Sequence, residues 1–404
     1  MTANPGIANA CRYVLPIRKH RQRNLIQSHA ALMQPHLIFR VHSDLRLGLG
    51  HVARALAIAS VWKTMGGIAT IAVSGDKRAK LIAAGKDPFS ESVLTCSAIY
   101  LGDSIYEPIP DHLKSEDAVA LLDLWDATQD QVKALRPLKV AIMEDNGDAH
   151  ECADLLFQPY LEGINWNNNP RNKKDKKPRP CEEQRNGCRV LKGADYIVLS
   201  SLATHLHTLR KQIQPLSVKK LLVTFGGTDG AHLAPRAFDV IKKIIDENGW
   251  DGQCTLLAPE GVAIKNAQGI TVLPIIPNLT LHLPEFDAIW CAGGVTLAEC
   301  LFLGIPVAAW SQNERQQNII SEIALESACI NLGLGPEAGM TTVQNSLTHW
   351  LGPLGQESRQ EQSANGMNLV DGSGATRVAQ ELWALTKRNT SFWAVQIAQS
   401  LETN

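Results

Sequence analysis

The strongest constraint on the fold of this chain is an alternation of short apolar runs with amphipathic stretches, which occurs in two successive series. Such alternation is typical of βα units around a parallel sheet, because each strand of that sheet is buried on both faces. The first series predicts strands at 37–42, 68–73, 118–124, 139–143, 154–157 and 196–200. The second predicts strands at 219–224, 253–257, 270–275, 286–291, 306–310 and 328–332. Two α/β series predict two Rossmann-like domains that face a central cleft.

Breaks in the alternation predict the domain boundaries. Residues 1–36 are basic and are expected to form a loose extension, 37–214 the N-terminal Rossmann-like domain, 215–365 the C-terminal one, and 366–404 helices that pack back across the joint. Within the first domain, the segment 163–187 is rich in Asn, Lys and Pro, which predicts a solvated insertion. A short helical region is expected at 203–212, and the stretch 366–387 is expected to be an amphipathic helix.

Charge and cysteine content exclude several classes of protein. Lys and Arg number 39 against 40 Asp and Glu, so the chain has no overall field that would attract nucleic acid. No apolar run approaches the roughly 20 residues that span a bilayer, so no integral membrane segment is predicted. The nine cysteines include no Cys-x-x-Cys pair, which argues against a disulfide scaffold or a zinc site and favours a reducing, cytoplasmic location. An anionic ligand must therefore be held by helix N-termini, glycine turns or single basic residues.

The first glycine turn follows the predicted strand 37–42 and leads into a helix that begins near His51. Gly48 and Gly50 let the backbone turn sharply and approach a ligand closely, and the helix beyond them offers free N–H groups to an anion. The dinucleotide fingerprint has a third glycine, which this turn lacks, so a nicotinamide cofactor is not indicated.

His51 is the most informative residue of this turn. Its position in the first helical turn directs the imidazole toward the cleft, and the positive helix end favours the neutral ring that acts as a general base. A histidine that only caps the turn fits the spacing equally well. Asp44 is expected to orient the ring or to cap the loop, and Arg54 to lie near a phosphate or in solvent.

The second series carries the predicted phosphate site. Gly293 and Gly294 follow the strand 286–291, and Val295 and Thr296 begin the next helix. A diphosphate at this helix end would leave Glu299 within reach of ribose hydroxyls, which a carboxylate accepts in pairs. The alternative, an ordinary charged helix residue, is less favoured because the neighbours of Glu299 are apolar and a carboxylate there needs a partner.

Two further segments could contact the same ligand. Gly226 and Gly227 follow the strand 219–224 and expose backbone N–H groups, to which Thr228 adds a hydroxyl donor. Gln316 and Gln317 belong to a polar cluster after the strand 306–310, where amides suit sugar hydroxyls; a surface helix start is the equal alternative.

Four motifs together resemble the UDP-2,4-diacetamido-2,4,6-trideoxy-β-L-altropyranose hydrolases of pseudaminic acid synthesis, which are related to the undecaprenyl-muramoyl N-acetylglucosaminyltransferases. The motifs are Arg40-Val41-His42-Ser43-Asp44 with Gly48-Leu49-Gly50-His51-Val52-Ala53-Arg54, Gly226-Gly227-Thr228-Asp229, Ala292-Gly293-Gly294-Val295-Thr296-Leu297-Ala298-Glu299, and Asp371-Gly372-Ser373-Gly374-Ala375-Thr376-Arg377. They span residues 38 to 378 in the expected order. The resemblance implies a GT-B fold, an α/β architecture of two Rossmann-like domains that binds UDP mainly through the C-terminal one.

The resemblance also implies a reaction and a set of site residues. His51 would activate water against the anomeric carbon, releasing UDP and a free, inverted sugar, with no metal or cofactor. His51 and Asp44 are the catalytic candidates. The predicted contacts to the UDP-sugar are Gly48, Gly50, Arg54, Gly226, Gly227, Thr228, Asp229, Gly293, Gly294, Val295, Thr296, Glu299, Gln316 and Gln317.

Three functions remain open at this point. The first is a UDP-sugar hydrolase of nonulosonic acid or surface polysaccharide synthesis. The second is a UDP-sugar-dependent inverting glycosyltransferase, in which His51 deprotonates an acceptor hydroxyl. Residues 76–116 show no basic and apolar surface helix of the kind that a lipid acceptor would favour, so hydrolysis is preferred. The third is a sugar-nucleotide sensor, which the presence of His51, Asp44 and Glu299 together disfavours.

Overall fold

The computed structural model describes residues 34–44, 50–86, 96–115, 117–124, 127–145, 147–160, 181–185, 187–209, 215–227, 229–259, 261–274, 276 and 278–386. Gly48, Thr228, most of the predicted extension 1–36 and most of the predicted insertion 163–187 lie outside these residues. None of the described helices has both the length and the apolar character needed to cross a bilayer.

The first half of the described chain forms an eight-stranded sheet in the order β3-β2-β1-β4-β5-β6-β8-β7. Its strands are β1 His36–Ser43, β2 Ile68–Gly75, β3 Ser97–Gly102, β4 Ala118–Asp123, β5 Lys139–Met143, β6 Leu155–Gln158, β7 Cys181–Arg185 and β8 Cys188–Lys192. Neighbouring strands pair in parallel, except β7 with β8. The central strands are buried along nearly their whole length, as the apolar runs predict.

The second half forms a six-stranded sheet in the order β11-β10-β9-β12-β13-β14. Its strands are β9 Lys220–Thr224, β10 Gln253–Leu257, β11 Ile270–Leu273, β12 Ala288–Cys291, β13 Val307–Ser311 and β14 Ile330–Leu334. All of its strand pairs are parallel. Helices cover both sheets, as parallel pairing requires.

The described α-helices lie mostly between consecutive strands. They are α1 Gly50–Thr64, α2 Lys77–Ala83, α3 Gln129–Lys133, α4 Ser201–His205, α5 Leu233–Asn248, α6 Leu279–His282, α7 Val295–Leu303, α8 Glu314–Leu325, α9 Met340–Leu351, α10 Gln356–Leu369 and α11 Gly374–Ala384. Helix α1 buries Val52, Leu56 and Trp62 against the first sheet, which is the apolar face that its sequence presents.

The strand order places a topological switch point in each sheet. The chain moves outward from β1 through β2 to β3, then returns to β4 on the other side of β1. In the second sheet the same reversal separates β9 from β12. Ligands of open α/β sheets bind in the crevice at the carboxyl ends of the strands where the order reverses. The turns after β1, β4, β9 and β12 therefore mark the candidate site.

The C-terminal stretch 366–387, predicted to be amphipathic and helical, contains a break between two helices. Helix α10 ends at Leu369, and Gly372, with φ +82°, separates it from α11. Helix α10 packs on α7 of the second half, whereas α11 packs on α1 of the first half, where the rings of Trp62 and Trp383 are 4.8 Å apart.

Other differences from the sequence prediction concern segments with weak apolar patterns. Part of the predicted loop 163–187 is strand β7, whose polar residues pair only with β8. Strands β3 and β8 were not predicted; β3 is a partly exposed edge strand, which weakens its apolar signal. The predicted strand 196–200 is wrong, because these residues pair with neither sheet: a 3₁₀ turn ends at Tyr196 and an unpaired stretch leads to α4.

Candidate active site

His51 forms a hydrogen-bonded pair with Asp123 at the switch point of the first sheet. The Nδ1 atom of His51, the second residue of α1, lies 2.6 Å from Oδ1 of Asp123, the last residue of β4. An ionised carboxylate only accepts hydrogen bonds, so Nδ1 carries the proton of the ring. In the neutral imidazole, the lone pair is then on Nε2. This arrangement suits a general base whose orientation and tautomer are set by a carboxylate.

Arg54 keeps Asp123 ionised despite its burial. The Asp123 side chain is 2% exposed, and Arg54 binds it through Nε to Oδ2 at 2.8 Å and Nη2 to Oδ1 at 2.6 Å. Burial opposes ionisation of Asp123, but the charges of Arg54 and His51 outweigh it and hold its pKa well below the usual range. The bidentate geometry leaves the carboxylate no freedom to turn away from His51.

Glu144 extends this set of charges toward the second half. It follows β5 with a φ of 59°, a left-handed conformation that is uncommon outside glycine. Its carboxylate accepts from Arg54 Nη1, and its Oε2 accepts from Nη2 of Arg315 on α8 at 2.9 Å. Burial lowers the pKa of Arg54, but Asp123 and Glu144 reverse the effect and raise it. These contacts link the ring of His51 to four groups of alternating charge, which are Asp123, Arg54, Glu144 and Arg315. We call these five residues the ion chain.

The start of α7 lies directly across the cleft from the start of α1. An ideal Cβ placed on Gly50 would lie 3.4 Å from Cγ2 of Val295, so the two helix N-termini are in contact. Gly294, which precedes α7, has no side chain to cap the helix and is exposed. Free N–H groups and the partial positive charge of a helix N-terminus favour an anion. His51 therefore lies beside the turn predicted to hold a diphosphate.

The glycine turn after β9 is open at the second switch point. Gly226 has a φ of +86°, and no atom lies within 4 Å of an ideal Cβ at Gly226 or Gly227. Asp229 follows this turn, and its predicted contact with the UDP-sugar stays a prediction. Its buried carboxylate accepts from the backbone N–H groups of Leu233 at 2.8 Å and Ala234 at 2.9 Å, so it caps α5. Burial raises the pKa of Asp229.

Two predictions for the first half require correction. The carboxylate that orients His51 is Asp123 and not Asp44, whose Oδ2 lies 3.4 Å from Nε2 of His42. Arg54 is neither solvated nor directed at a phosphate, because Nε, Nη1 and Nη2 all donate to Asp123 or Glu144. Both errors have one cause: the carboxylates come from distant strands.

Two glutamines of α8 form side-chain hydrogen bonds within the second half. Oε1 of Gln317 accepts from Ser311 at 2.6 Å, and its Nε2 donates to Ser321 and Asn331 at 3.3 Å. The Gln317 contact with a sugar stays a prediction. Oε1 of Gln316 accepts from the backbone N–H of Gln312 at 2.9 Å. The Gln316 contact with substrate stays a prediction.

Glu299 lies on α7 with partners from the chain itself. Its side chain accepts from Ser200 Oγ at 2.8 Å and from Thr280 Oγ1 at 3.1 and 3.2 Å, and the residue is 4% exposed. Hydroxyl donors thus occupy the positions that the sequence assigned to ribose hydroxyls. The buried carboxylate has the hydroxyl partners it needs, and ribose binding stays a prediction.

Sequence reasoning missed Asp123 and Glu144 as site residues. Asp123 lies within the predicted strand 118–124, and a polar residue at the carboxyl end of a buried strand is a usable signal. Glu144 directly follows the predicted strand 139–143 and carries the same signal. The sequence does not state which strands are neighbours, so neither carboxylate could be paired with His51.

Comparisons with known proteins agree with this architecture. No family model matches the sequence. The chain is 26% identical over 208 residues to the spore coat polysaccharide biosynthesis protein SpsG of Bacillus subtilis (strain 168), a match that covers 47% of this chain and 57% of that protein. The matched stretch therefore spans little more than half the length of this curated relative.

Solved structures match nearly the whole chain. The spinosyn forosaminyltransferase SpnP has a TM-score of 0.55 at 11% identity, covering 87% of this chain and 100% of that one. A putative UDP-N-acetylglucosamine 2-epimerase from Listeria monocytogenes has a TM-score of 0.58 at 10% identity, covering 87% of this chain and 96% of that one. Together with the two parallel sheets, these likenesses show that the chain has the two-domain, Rossmann-like GT-B fold.

Proposed function

We propose that this protein is a UDP-sugar-dependent glycosyltransferase of the inverting type, with His51 as its general base. The observation that carries the proposal is the His51–Asp123 pair opposite the uncapped start of α7. A base on one wall and a diphosphate site on the other suit displacement at an anomeric carbon between them. A relative named for polysaccharide biosynthesis and a structural neighbour named as a forosaminyltransferase support transfer over hydrolysis.

The mechanism is a single displacement. The acceptor oxygen attacks the anomeric carbon from the His51 side and passes its proton to Nε2, while the bond between that carbon and the diphosphate oxygen breaks. The negative charge that develops on the leaving UDP is stabilised by the N–H groups at the start of α7. Attack opposite to the leaving group inverts the anomeric configuration. Asp123 accepts the hydrogen bond from Nδ1–H throughout, stays ionised and stabilises the imidazolium.

Hydrolysis is the second candidate, since the four sequence motifs resemble the altropyranose hydrolases and water can replace the acceptor. On the first half, α2 exposes Lys77 and Arg78 beside Leu81, which is 43% exposed. That the nucleotide is UDP and that the sugar belongs to pseudaminic acid synthesis are further parts of the proposal, and both are tested by turnover of defined sugar nucleotides.

A panel of UDP-sugars separates the two reactions. The protein is incubated with each sugar nucleotide, with and without polyol, saccharide and lipid-linked acceptors, and UDP release and the sugar product are measured. We expect UDP release that requires an acceptor and yields a glycoside of inverted configuration. Release without an acceptor, together with free sugar, would instead establish hydrolysis. The absence of UDP release from every sugar would contradict both reactions.

Glu299→Gln is expected to weaken UDP binding if the ribose prediction is correct. The amide keeps the size of the side chain but removes the charge that strengthens hydrogen bonds from hydroxyls, at a cost of about 1.5–3 kcal/mol. The dissociation constant for UDP, measured by calorimetry, should therefore rise about 10-fold or more. Glu357→Gln, which changes an exposed glutamate of α10, is the matched control. An unchanged constant in a folded Glu299→Gln protein would assign Glu299 to packing alone.

A further inference from the structure

The ion chain crosses from one half of the protein to the other through a single contact between side chains of opposite charge. Glu144 belongs to the first half, and Arg315 is the second residue of α8 in the second half. The side chains of Glu144 and Arg315 are 14% and 16% exposed, so their attraction is only partly screened by solvent. Arg54, at 14% exposure, links Glu144 to Asp123.

Helix α8 is also seated on the turn predicted to hold the diphosphate. An ideal Cβ on Gly293 would lie 3.0 Å from Cβ of Gln316 and 3.2 Å from its carbonyl oxygen, so a side chain there would push α8 outward by a few tenths of an ångström. Gln316 is the neighbour of Arg315 in the chain. We therefore expect a displacement of the Gly293 turn to move Arg315 as well, because closely packed elements transmit displacements.

These contacts connect the Gly293 turn, which is predicted to hold the diphosphate of the nucleotide, to the general base His51. We call this turn the nucleotide turn. The connection runs from Gly293 through α8 to Arg315, then through Glu144, Arg54 and Asp123 to Nδ1 of His51. Each charged member is held by an opposite charge on at least one side. Buried networks of this kind have few alternative arrangements, since breaking one pair leaves a charge uncompensated.

We propose that Glu144 and Arg315 are positioning residues for His51, through which the seating of α8 on the nucleotide turn sets the alignment of the base. The inference rests on the proposed function for the role of His51 as the base. Its consequence is that His51 is held in line only while the two halves are closed on each other. The left-handed backbone of Glu144 fits this role, because it places one carboxylate between guanidinium groups from both halves.

Charge substitutions in the ion chain give a readout that fold damage would not produce. Glu144→Gln removes a negative charge that stabilises the imidazolium, so the neutral ring of His51 is favoured and its titration moves to lower pH. Arg315→Gln removes a positive charge and moves the titration to higher pH. Each shift should be on the order of half a pH unit. The double variant removes one charge of each sign and should return close to the parent protein.

Other ionisable groups also face His51 and Glu144, and none of them is substituted in these variants. They are His42 on β1, Asp44 after β1, Asp123 at the end of β4, Arg54 on α1 and Tyr160 after β6. The hydroxyl of Tyr160 lies near Glu144 and Arg315. Burial raises the pKa of Tyr160, so it stays neutral through the range in which histidine titrates.

The experiment follows the Cε1–H signal of His51 by NMR in protein labelled at histidine, the signal being assigned by its loss in His51→Ala. Exposed charges of α5 provide matched controls, Lys242→Gln and Asp246→Asn. Opposite shifts in the two single variants, with the double variant near the parent, support the proposal. Unchanged titration in both, or shifts in the same direction, would overturn it.

Turnover gives a second test that separates this inference from the proposed function. With a UDP-sugar that the parent protein uses, Glu144→Gln and Arg315→Gln should each lower kcat on the order of 10-fold, because a misaligned base reacts less often. The dissociation constant for UDP should not change in Glu144→Gln, and Arg315→Lys should recover most of kcat. An unchanged kcat in both glutamine variants contradicts the positioning role. A parent protein that uses no UDP-sugar contradicts the proposed function and leaves the NMR test intact.

Discussion

Replacement of His51 by alanine is expected to lower kcat about 10²–10⁴-fold, the usual contribution of a general base. The alanine removes Nε2, the ring nitrogen whose lone pair takes the acceptor proton in the proposed mechanism. Affinity for UDP should stay within about twofold, because the proposed diphosphate site is formed by Gly293–Thr296 of the other half, and alanine at position 51 leaves the α7 N-terminus unchanged. Steady-state turnover and calorimetry with UDP give the two measurements.

His207→Ala is the matched control for this substitution, since His207 is exposed on the 3₁₀ turn after α4 and far along the chain from the ion chain. It should leave both kcat and UDP affinity unchanged. An equal loss of turnover and of UDP binding in His51→Ala would contradict the separation of base and nucleotide between the two halves. Full turnover in His51→Ala would remove the general base from the mechanism.

Asp123→Asn is expected to reduce both turnover and stability. The amide no longer requires a proton on Nδ1, so the ring is free to adopt the wrong tautomer, with a loss in kcat on the order of 10²–10⁴-fold. The substitution also leaves the buried Arg54 with Glu144 as its remaining carboxylate, and breaking a buried ion pair costs about 3–5 kcal/mol. Urea denaturation at neutral pH measures this loss in the free energy of unfolding.

The stability effect of Asp123→Asn depends on pH in a defined direction. The pKa of Asp123 is lower in the folded protein than in the unfolded chain, where Asp titrates at about pH 4. Its contribution to stability is therefore fully present above about pH 4 and is lost as the pH falls toward the folded value. The difference between parent and variant should shrink below pH 4. A difference that grows with acid would contradict the ionised state of Asp123.

Asp251→Asn serves as the control for both effects, because Asp251 is exposed and its carboxylate binds the exposed Lys219. Exposed pairs of this kind contribute about 0–1 kcal/mol. The control should retain the turnover of the parent protein and lose little stability.

Much of the secondary structure could be predicted from the sequence. The expected strands 139–143 and 253–257 coincide with β5 and β10, since buried parallel strands are continuous apolar runs with few alternatives. Strands β3 and β7 were missed because an edge strand needs less apolar surface, and β7 consists largely of polar residues. The helical stretch predicted at 366–387 is interrupted at the left-handed Gly372, a break that local periodicity does not reveal.

The sequence by itself determined the α/β class, the glycine turns at the ends of strands, and His51 at the start of a helix, because all of these depend on residues close together in the chain. Only the tertiary structure decided which carboxylate holds His51. Asp123 is 72 positions away, and it reaches the ring because β4 is the neighbour of β1 on the side opposite β2. The contact between Glu144 and Arg315 spans 171 positions and depends on how the two halves meet. Local propensity sets the strands, whereas sheet order and the packing of the two halves set the chemistry between them.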